Sequence, residues 1–231
     1  MQCLIITGAS SGIGLATANT FQQAGWRVIN ISRSACQLDG VINVTADLAD
    51  PTMVAKISAL LLDRLEGCAA LCLIHNAARL DHDTVKAVDP KALRKTYEIN
   101  LIAPAVLNRL LLPAMSTGSS ILYVGSTLGE KAVPGSFSYV TSKHASIGMM
   151  RATCQDLAGS GIHTACINPG FTNTEMLRDH IPADVMPEIA QMSAFGRLID
   201  PTEIGATLLF AAQNPVLNGS VLNANLGQIE R

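Results

Sequence analysis

The stretch Gln2-Cys3-Leu4-Ile5-Ile6-Thr7-Gly8-Ala9-Ser10-Ser11-Gly12-Ile13-Gly14 decides the architecture. Residues 2–7 are an apolar run of strand length. Three glycines then follow in the spacing Gly-x-x-x-Gly-x-Gly, and apolar residues at helical spacing continue beyond Gly14. A strand that turns sharply through glycines into a helix leaves the first N–H groups of that helix unpaired, at the positive end of its dipole. Such a turn suits an anion as large as a pyrophosphate. An ordinary strand-to-helix turn is the plain alternative, and the context of strand before and helix after raises the dinucleotide reading above it.

Outward from that turn, apolar runs alternate with longer helical patterns. Residues 27–31, 41–45, 69–75, 119–124, 162–167 and 220–224 read as further strands. Residues 12–24, 51–65, 90–115, 138–158 and 201–213 read as helices. The alternation predicts βαβ units in an α/β fold: a doubly wound parallel sheet of about seven strands with helices on both faces. Ligands belong at the carboxyl ends of such strands. With no linker, repeat or low-complexity segment, residues 1–231 are expected to form a single domain.

Composition narrows the function classes. Hydrophobic residues make up 48% and charged residues 15%, against roughly 25% charged in an average domain, so a large core and an apolar oligomer contact are expected. The net charge is −2 and there is no basic run, which argues against nucleic acid as partner. No apolar run is long enough to span a membrane, and Met1-Gln2 leads into strand pattern with no charged segment of a secretory signal. The six cysteines, Cys3, Cys36, Cys68, Cys72, Cys154 and Cys166, lack metal-ligand spacing. A reduced, cytoplasmic protein without metal is the expectation. His75, His82, His144, His163 and His180 also lack ligand spacing and are read as structural.

Chemistry enters with Ser138-Tyr139-Val140-Thr141-Ser142-Lys143. On a helix, Tyr139 and Lys143 share a face. A phenol ordinarily titrates near pH 10, and an adjacent ammonium favours the phenolate, which makes the pair a proton-transfer group suited to neutral pH. Ser126 follows the run Ile121–Val124 and is placed to donate a hydrogen bond to the same reacting oxygen. A Tyr and a Lys at this spacing are by themselves more often a solvated helix face, and the rest of the chain is what reverses that reading.

The second strand ends Ile31-Ser32-Arg33, and no acid occurs between Gly14 and Asp39. An NAD site usually carries an acid about 20 residues past the glycines, bound to the ribose. Arg33, helped by Ser32, is instead read as the partner of the 2′-phosphate of NADP, so NADPH is the expected cofactor and NAD the lesser one. Asp47 and Leu48, at the end of the third strand, are expected beside adenine. Asp50-Pro51 reads as N-cap and first helical residue. In the helix 90–115, Pro104 has no N–H for the carbonyl of Asn100, which predicts a kink there with that carbonyl left free.

Taken together, Thr7–Gly14, Asn76-Ala77-Ala78, Asn100, Ser126, Tyr139-x-x-x-Lys143 and Asn168-Pro169-Gly170 resemble the short-chain dehydrogenase/reductase family over nearly the whole chain. The resemblance implies a Rossmann-like fold and hydride transfer between a nicotinamide and a carbonyl or alcohol. It implies Tyr139 as acid–base, with Lys143 tuning it and holding the ribose. Ser126 would polarise the carbonyl, and Asn100 would hold a water that links Lys143 to solvent. Gly8, Ser10, Ser11, Gly12, Ile13, Gly14, Asn76 and Ala77 would line the cofactor, with Pro169, Gly170, Thr172 and Thr174 around the nicotinamide. Two departures stand out: Ala78 replaces the family's usual glycine, and Asn225-Leu226-Gly227 replaces a Gly-Gly pair.

Residues 171–195 are expected to form a lid. Met176, Leu177, Ile181, Met186, Met192 and Phe195 in it suit either a fairly apolar substrate or packing on the core or a neighbouring subunit. The helices at 90–115 and 138–158 are expected to pair subunits in a homodimer or homotetramer. The leading expectation is an NADPH-dependent carbonyl reductase. A 3-oxoacyl carrier-protein reductase and a non-catalytic dinucleotide sensor are the alternatives; the first lacks an obvious basic docking patch, and the second is opposed by intact Ser126, Tyr139 and Lys143.

Overall fold

The computed structural model describes residues 1–228. Seven strands form one all-parallel sheet: β1 (Gln2–Thr7), β2 (Arg27–Ser32), β3 (Ile42–Thr45), β4 (Ala70–His75), β5 (Ser120–Val124), β6 (His163–Pro169) and β7 (Ser220–Ala224). Their order is β3-β2-β1-β4-β5-β6-β7, so the chain winds outward from β1 to one edge, then returns to its other side. This is the Rossmann-like arrangement that the alternating pattern predicts.

Alternation along each strand builds a core on both faces. In β1, Leu4 and Ile6 point to one face with Phe21 of α1 (Gly12–Gln23) and Ile204 and Leu208 of α8 (Pro201–Gln213). Cys3 and Ile5 point to the other face. There they join Ile57 and Leu61 of α2 (Met53–Asp63), Leu107 of α4 (Ala103–Leu111) and Ile147 of α5 (Phe137–Asp156). Each fully buried Leu or Ile of this kind contributes about 1.5–3 kcal/mol by transfer from water.

Helix starts follow their local chemistry. Asp200 caps α8, and Glu203 returns the bond to the Asp200 N–H in a capping box. The helix read from residue 51 begins two residues later, at Met53. Asp50 accepts from the Thr52 N–H (2.8 Å) and hydroxyl (2.7 Å), so it closes a turn ahead of the helix rather than capping it. Residues 90–115 are not one helix. α3 (Pro90–Tyr97) passes into a π-helical turn, Glu98–Ile102, and then into α4, with a short 3-10 turn at Leu112–Ala114. The Ala103 N–H reaches back to the Glu98 carbonyl, one residue further than in an α-helix. The expected disturbance at Asn100–Pro104 is thus an extra residue wound into the helix, just before the proline. Two short helices, α6 (Glu175–His180) and α7 (Met186–Gln191), occupy the segment 171–195.

The turn after β7, Asn225-Leu226-Gly227, is strained. Leu226 has φ of +52°, the one positive φ of a non-glycine among the described residues. A branched side chain there is strained by about 1–2 kcal/mol.

A directed chain of buried hydrogen bonds joins β4, α4, β5 and α5. The amide of Asn108 donates to the Tyr123 hydroxyl (2.8 Å), so its oxygen accepts from His75 Nε2 (2.7 Å). Tyr123 in turn lies 3.3 Å from the Thr153 hydroxyl, whose proton goes to the Met149 carbonyl. His75 is therefore neutral with its proton on Nε2, while Nδ1 is buried without a partner. Burial, opposed only by the bond to Asn108, pulls its pKa down to about 4. The unfolded chain binds this proton first as pH falls, so stability is complete above pH 6.5 and drains away toward pH 4. That loss amounts to about 3 kcal/mol. In chemical denaturation at a series of pH values, His75→Gln should lose distinctly less stability than the wild type between pH 7 and pH 4; parallel curves for the two would contradict this account.

Candidate active site

Because every strand is parallel, their carboxyl ends lie along one edge of the sheet. The register pairs Thr7 with Ile31, Ser32 with Thr45, His75 with Tyr123, Val124 with Ile167, and Pro169 with Ala224. All of the expected site residues follow or face these ends.

The glycine turn is built by close approach. Gly8 has φ of +74°, and a Cβ on it would lie 3.0 Å from Ala77 Cβ. A Cβ on Gly14 would lie 2.1 Å from the Gly8 carbonyl oxygen, so only glycine lets α1 start this near the strand end. Asn76 clamps the turn by donating to the Thr7 and Gly8 carbonyls (2.9 and 3.0 Å). The Thr7 hydroxyl accepts from the N–H groups of Asn76 and Ala77, each at 3.0 Å. Buried Asn30 holds the Ala9 N–H at 2.9 Å. Ser11 stands at the N-cap of α1 without a side-chain capping bond, which leaves the first turn open to an anion. Thr174 lies against this turn: a Cβ on Gly12 would be 3.3 Å from its methyl group.

The end of β2 is open. Arg33 is exposed and makes no ion pair among the described residues, whereas the Ser32 hydroxyl is engaged by Asn30 and donates to the Ser34 carbonyl. Beyond β3, Leu48 is buried and Asp47 lines a surface cleft with Arg94, Lys95 and Glu98.

The acid–base candidates meet beyond β5. Tyr139 and Lys143 share one face of α5, both more than nine-tenths buried, with the ammonium 5.5 Å from the ring centre. Lys143 donates to the Val124 carbonyl at 2.7 Å. One residue on, Gly125 donates to the Ile167 carbonyl (2.7 Å), and the Ser126 N–H donates to Asn168 Oδ1 (3.1 Å). A Cβ on Gly125 would fall 2.0 Å from Asn168 Oδ1. The Ser126 hydroxyl accepts from the Leu128 N–H at 3.1 Å, so its own proton remains to be donated. Beneath the group lies Cys166, its thiol pushed up to about 11 by burial and therefore inert.

The remaining residues take supporting places. The Asn100 side chain is spent on Arg79, accepting from its N–H (2.8 Å) and donating to its carbonyl (3.0 Å), and on the Ser142 hydroxyl (2.9 Å). Gly170 packs against Asn225, and buried Thr172 donates to the Gly170 carbonyl (3.1 Å). Thr7, Asn30 and the side chain of Asn168 form the frame; Thr7 and Asn168 stand in motifs read from the sequence, whereas Asn30 stands in none. None of Met176, Leu177, Ile181, Met186, Met192 and Phe195 is fully buried: Met176 and Phe195 are exposed and the others half-buried. Among the described residues no group of three or more His, Cys, Asp or Glu could hold a metal, and no helix is long and apolar enough to cross a membrane.

The short chain dehydrogenase family profile matches residues 2–184, and the chain belongs to that family. The protein FixR of Bradyrhizobium diazoefficiens is 30% identical, over 97% of this chain and 86% of its own. The L-tagatose-forming galactitol 2-dehydrogenase of Cereibacter sphaeroides is 30% identical over 91% and 87%. Among solved structures, the aldohexose dehydrogenase of Thermoplasma acidophilum superposes with a TM-score of 0.90, covering 98% of this chain and 93% of its own at 22% identity. A 4-hydroxyisoleucine dehydrogenase complexed with NADH (TM-score 0.87, 23% identity, 98% of both chains) shares the fold. So does the angucycline C-6 ketoreductase LanV with bound NADP (0.87, 25%, 98% and 95%). The protein is thus an oxidoreductase acting on an alcohol or carbonyl group with NAD(P), in a family whose members bind either form.

Proposed function

We propose that the protein is an NADPH-dependent reductase that interconverts a ketone or aldehyde with its alcohol. The observation that carries this reading is the buried pair on α5, Tyr139 with the Lys143 ammonium 5.5 Å from its ring; the ammonium is held by the Val124 carbonyl, two residues before Ser126, whose hydroxyl accepts from Leu128 and keeps its proton to donate. The glycine turn fits a dinucleotide: at Gly8, Gly12 and Gly14 a Cβ would meet Ala77, Thr174 and the Gly8 carbonyl, so glycines let the backbone close into a tight cradle, and the N–H groups of Ser10, Ser11 and Ile13 are the donors it would offer a pyrophosphate. Asn76 and Ala77 hold the cradle, Asp47 and Leu48 flank the adenine end, and Pro169, Gly170, Thr172 and Thr174 border the nicotinamide end. The bound cofactor supplies the hydride.

The protein's own groups move and hold protons. Tyr139 gives its hydroxyl proton to the carbonyl oxygen in reduction and recovers it in oxidation. Ser126 donates a hydrogen bond to the same oxygen, in a direction set by the Leu128 N–H behind it. Lys143 spends one proton on Val124 and keeps two for Tyr139 and the ribose hydroxyls. With the Asn100 side chain engaged, its backbone carbonyl is the group left to hold a water toward Lys143, since Pro104 has no N–H to offer it.

Residues 171–195 act as the lid over a fairly apolar substrate, and the half-exposed apolar residues there support this. Subunits pair through the helical segment 90–115 and α5 as a homodimer or homotetramer; Ile102, 47% exposed in the π-turn of that segment, supports the pairing, and a monomer in sedimentation would exclude it. The preference for NADPH rests on Arg33, which makes no ion pair among the described residues and follows β2 where an NAD site would carry an acid. A panel of ketones and aldehydes, followed by absorbance with NADPH and with NADH, tests the reading. The expected result is turnover with NADPH preferred, and an Arg33→Ala variant whose KM for NADPH rises about tenfold or more while that for NADH stays. A clear preference for NADH, or an unchanged KM in Arg33→Ala, would contradict it.

A further inference from the structure

Ser126 opens a 3-10 turn, Thr127–Gly129, and Glu130 closes it. Inside the turn, the Gly129 N–H donates to the Ser126 carbonyl (2.8 Å) and the Glu130 N–H to the Thr127 carbonyl (3.2 Å). Outside it, a second route joins the same two residues. The Ser126 N–H donates to Asn168 Oδ1 (3.1 Å). Asn168 stands opposite Asn223 in the β6–β7 register, and its Nδ2 donates to Asn223 Oδ1 (3.1 Å). The Nδ2 of Asn223 donates to Glu130 Oε2 (2.9 Å). The turn and the side chains therefore close a ring through three strands' ends.

The direction of every bond in the ring is fixed at its two ends. A carboxylate only accepts, so Glu130 obliges Asn223 to turn its NH₂ outward and its oxygen toward Asn168. The Ser126 N–H only donates, which obliges Asn168 to present its oxygen. Without the Glu130 acceptor the exposed Asn223 amide is held from one side alone, and a reversed Asn223 would set its NH₂ against the Asn168 Nδ2, leaving that buried donor without an acceptor. Asn168 is fully buried, so no solvent replaces a lost partner there.

We propose that Glu130 and Asn223 are positioning residues for Ser126: the ring they complete holds the serine backbone at the angle that aims its hydroxyl. The proposal rests on the reading of Ser126 given under Proposed function. Two measurements test it, amide hydrogen exchange at Ser126 and steady-state turnover of a carbonyl compound that the wild type reduces. In Glu130→Ala and Asn223→Ala, exchange at Ser126 should quicken about tenfold and kcat should fall about 5–20-fold, with KM for NADPH unchanged. Glu130→Gln, which keeps an acceptor oxygen, should restore both to within about twofold. Exchange and kcat unchanged in both alanine variants, while Ser126→Ala abolishes turnover, would overturn the ring and leave the catalytic reading intact. Wild-type kcat in Ser126→Ala would overturn the catalytic reading itself and the proposal with it.

Discussion

Lys143 places an ammonium more than nine-tenths buried in the middle of an apolar fold, and the Val124 carbonyl at 2.7 Å is its hydrogen-bond acceptor among the described residues. Removing such a charge from water costs several kcal/mol unless polar groups surround it. The surrounding structure is arranged to meet that demand. Val124 ends a strand buried along its length, and Gly125 after it has no room for a side chain. Val124 carries the ammonium on one side, and the N–H groups of Gly125 and Ser126 tie the next two residues to β6 on the other. One strand end therefore sets the relation between the proposed acid–base pair and the serine, which is why a short polar segment governs so much of the site.

The fold was legible because its signals are local or periodic. The helix read at 201–213 and the strands read at 2–7 and 220–224 carry the observed limits, and each has a plain punctuation: Asp200-Pro201 before the helix, glycines at the strand ends. The segment 90–115 reads as one helix because a π-turn leaves almost the same apolar spacing as an α-helix; only Asn100 and Pro104 mark its place in the sequence. The helices α6 and α7 were missed because six residues span fewer than two turns and show no period.

The site divides in the same way. Tyr139 and Lys143 meet because four residues on one helix must share a face. Gly8, Gly12 and Gly14 were readable because no other residue fits so tight a turn. The bonds that Thr7, Asn30 and Asn168 make were not, since their partners lie 69, 21 and 42 residues away in the chain; motifs contain Thr7 and Asn168, but no short pattern marks Asn30. Ser32 shows the converse: its position suited the 2′-phosphate, but its proton is already given to Ser34. The unusual turn after β7 was visible as a missing glycine pair, and the structure gives its physical form, a leucine held at positive φ two residues after the strand that contributes Asn223.

The chemistry attributed to the buried pair is tested most directly by substituting its two members, Tyr139→Phe and Lys143→Met, and measuring kcat on a reducible carbonyl compound together with NADPH affinity by titration. The account predicts that kcat falls about a hundredfold or more in both variants, while Tyr139→Phe binds NADPH as tightly as the wild type. A Tyr139→Phe enzyme that turns over at the wild-type rate would contradict it.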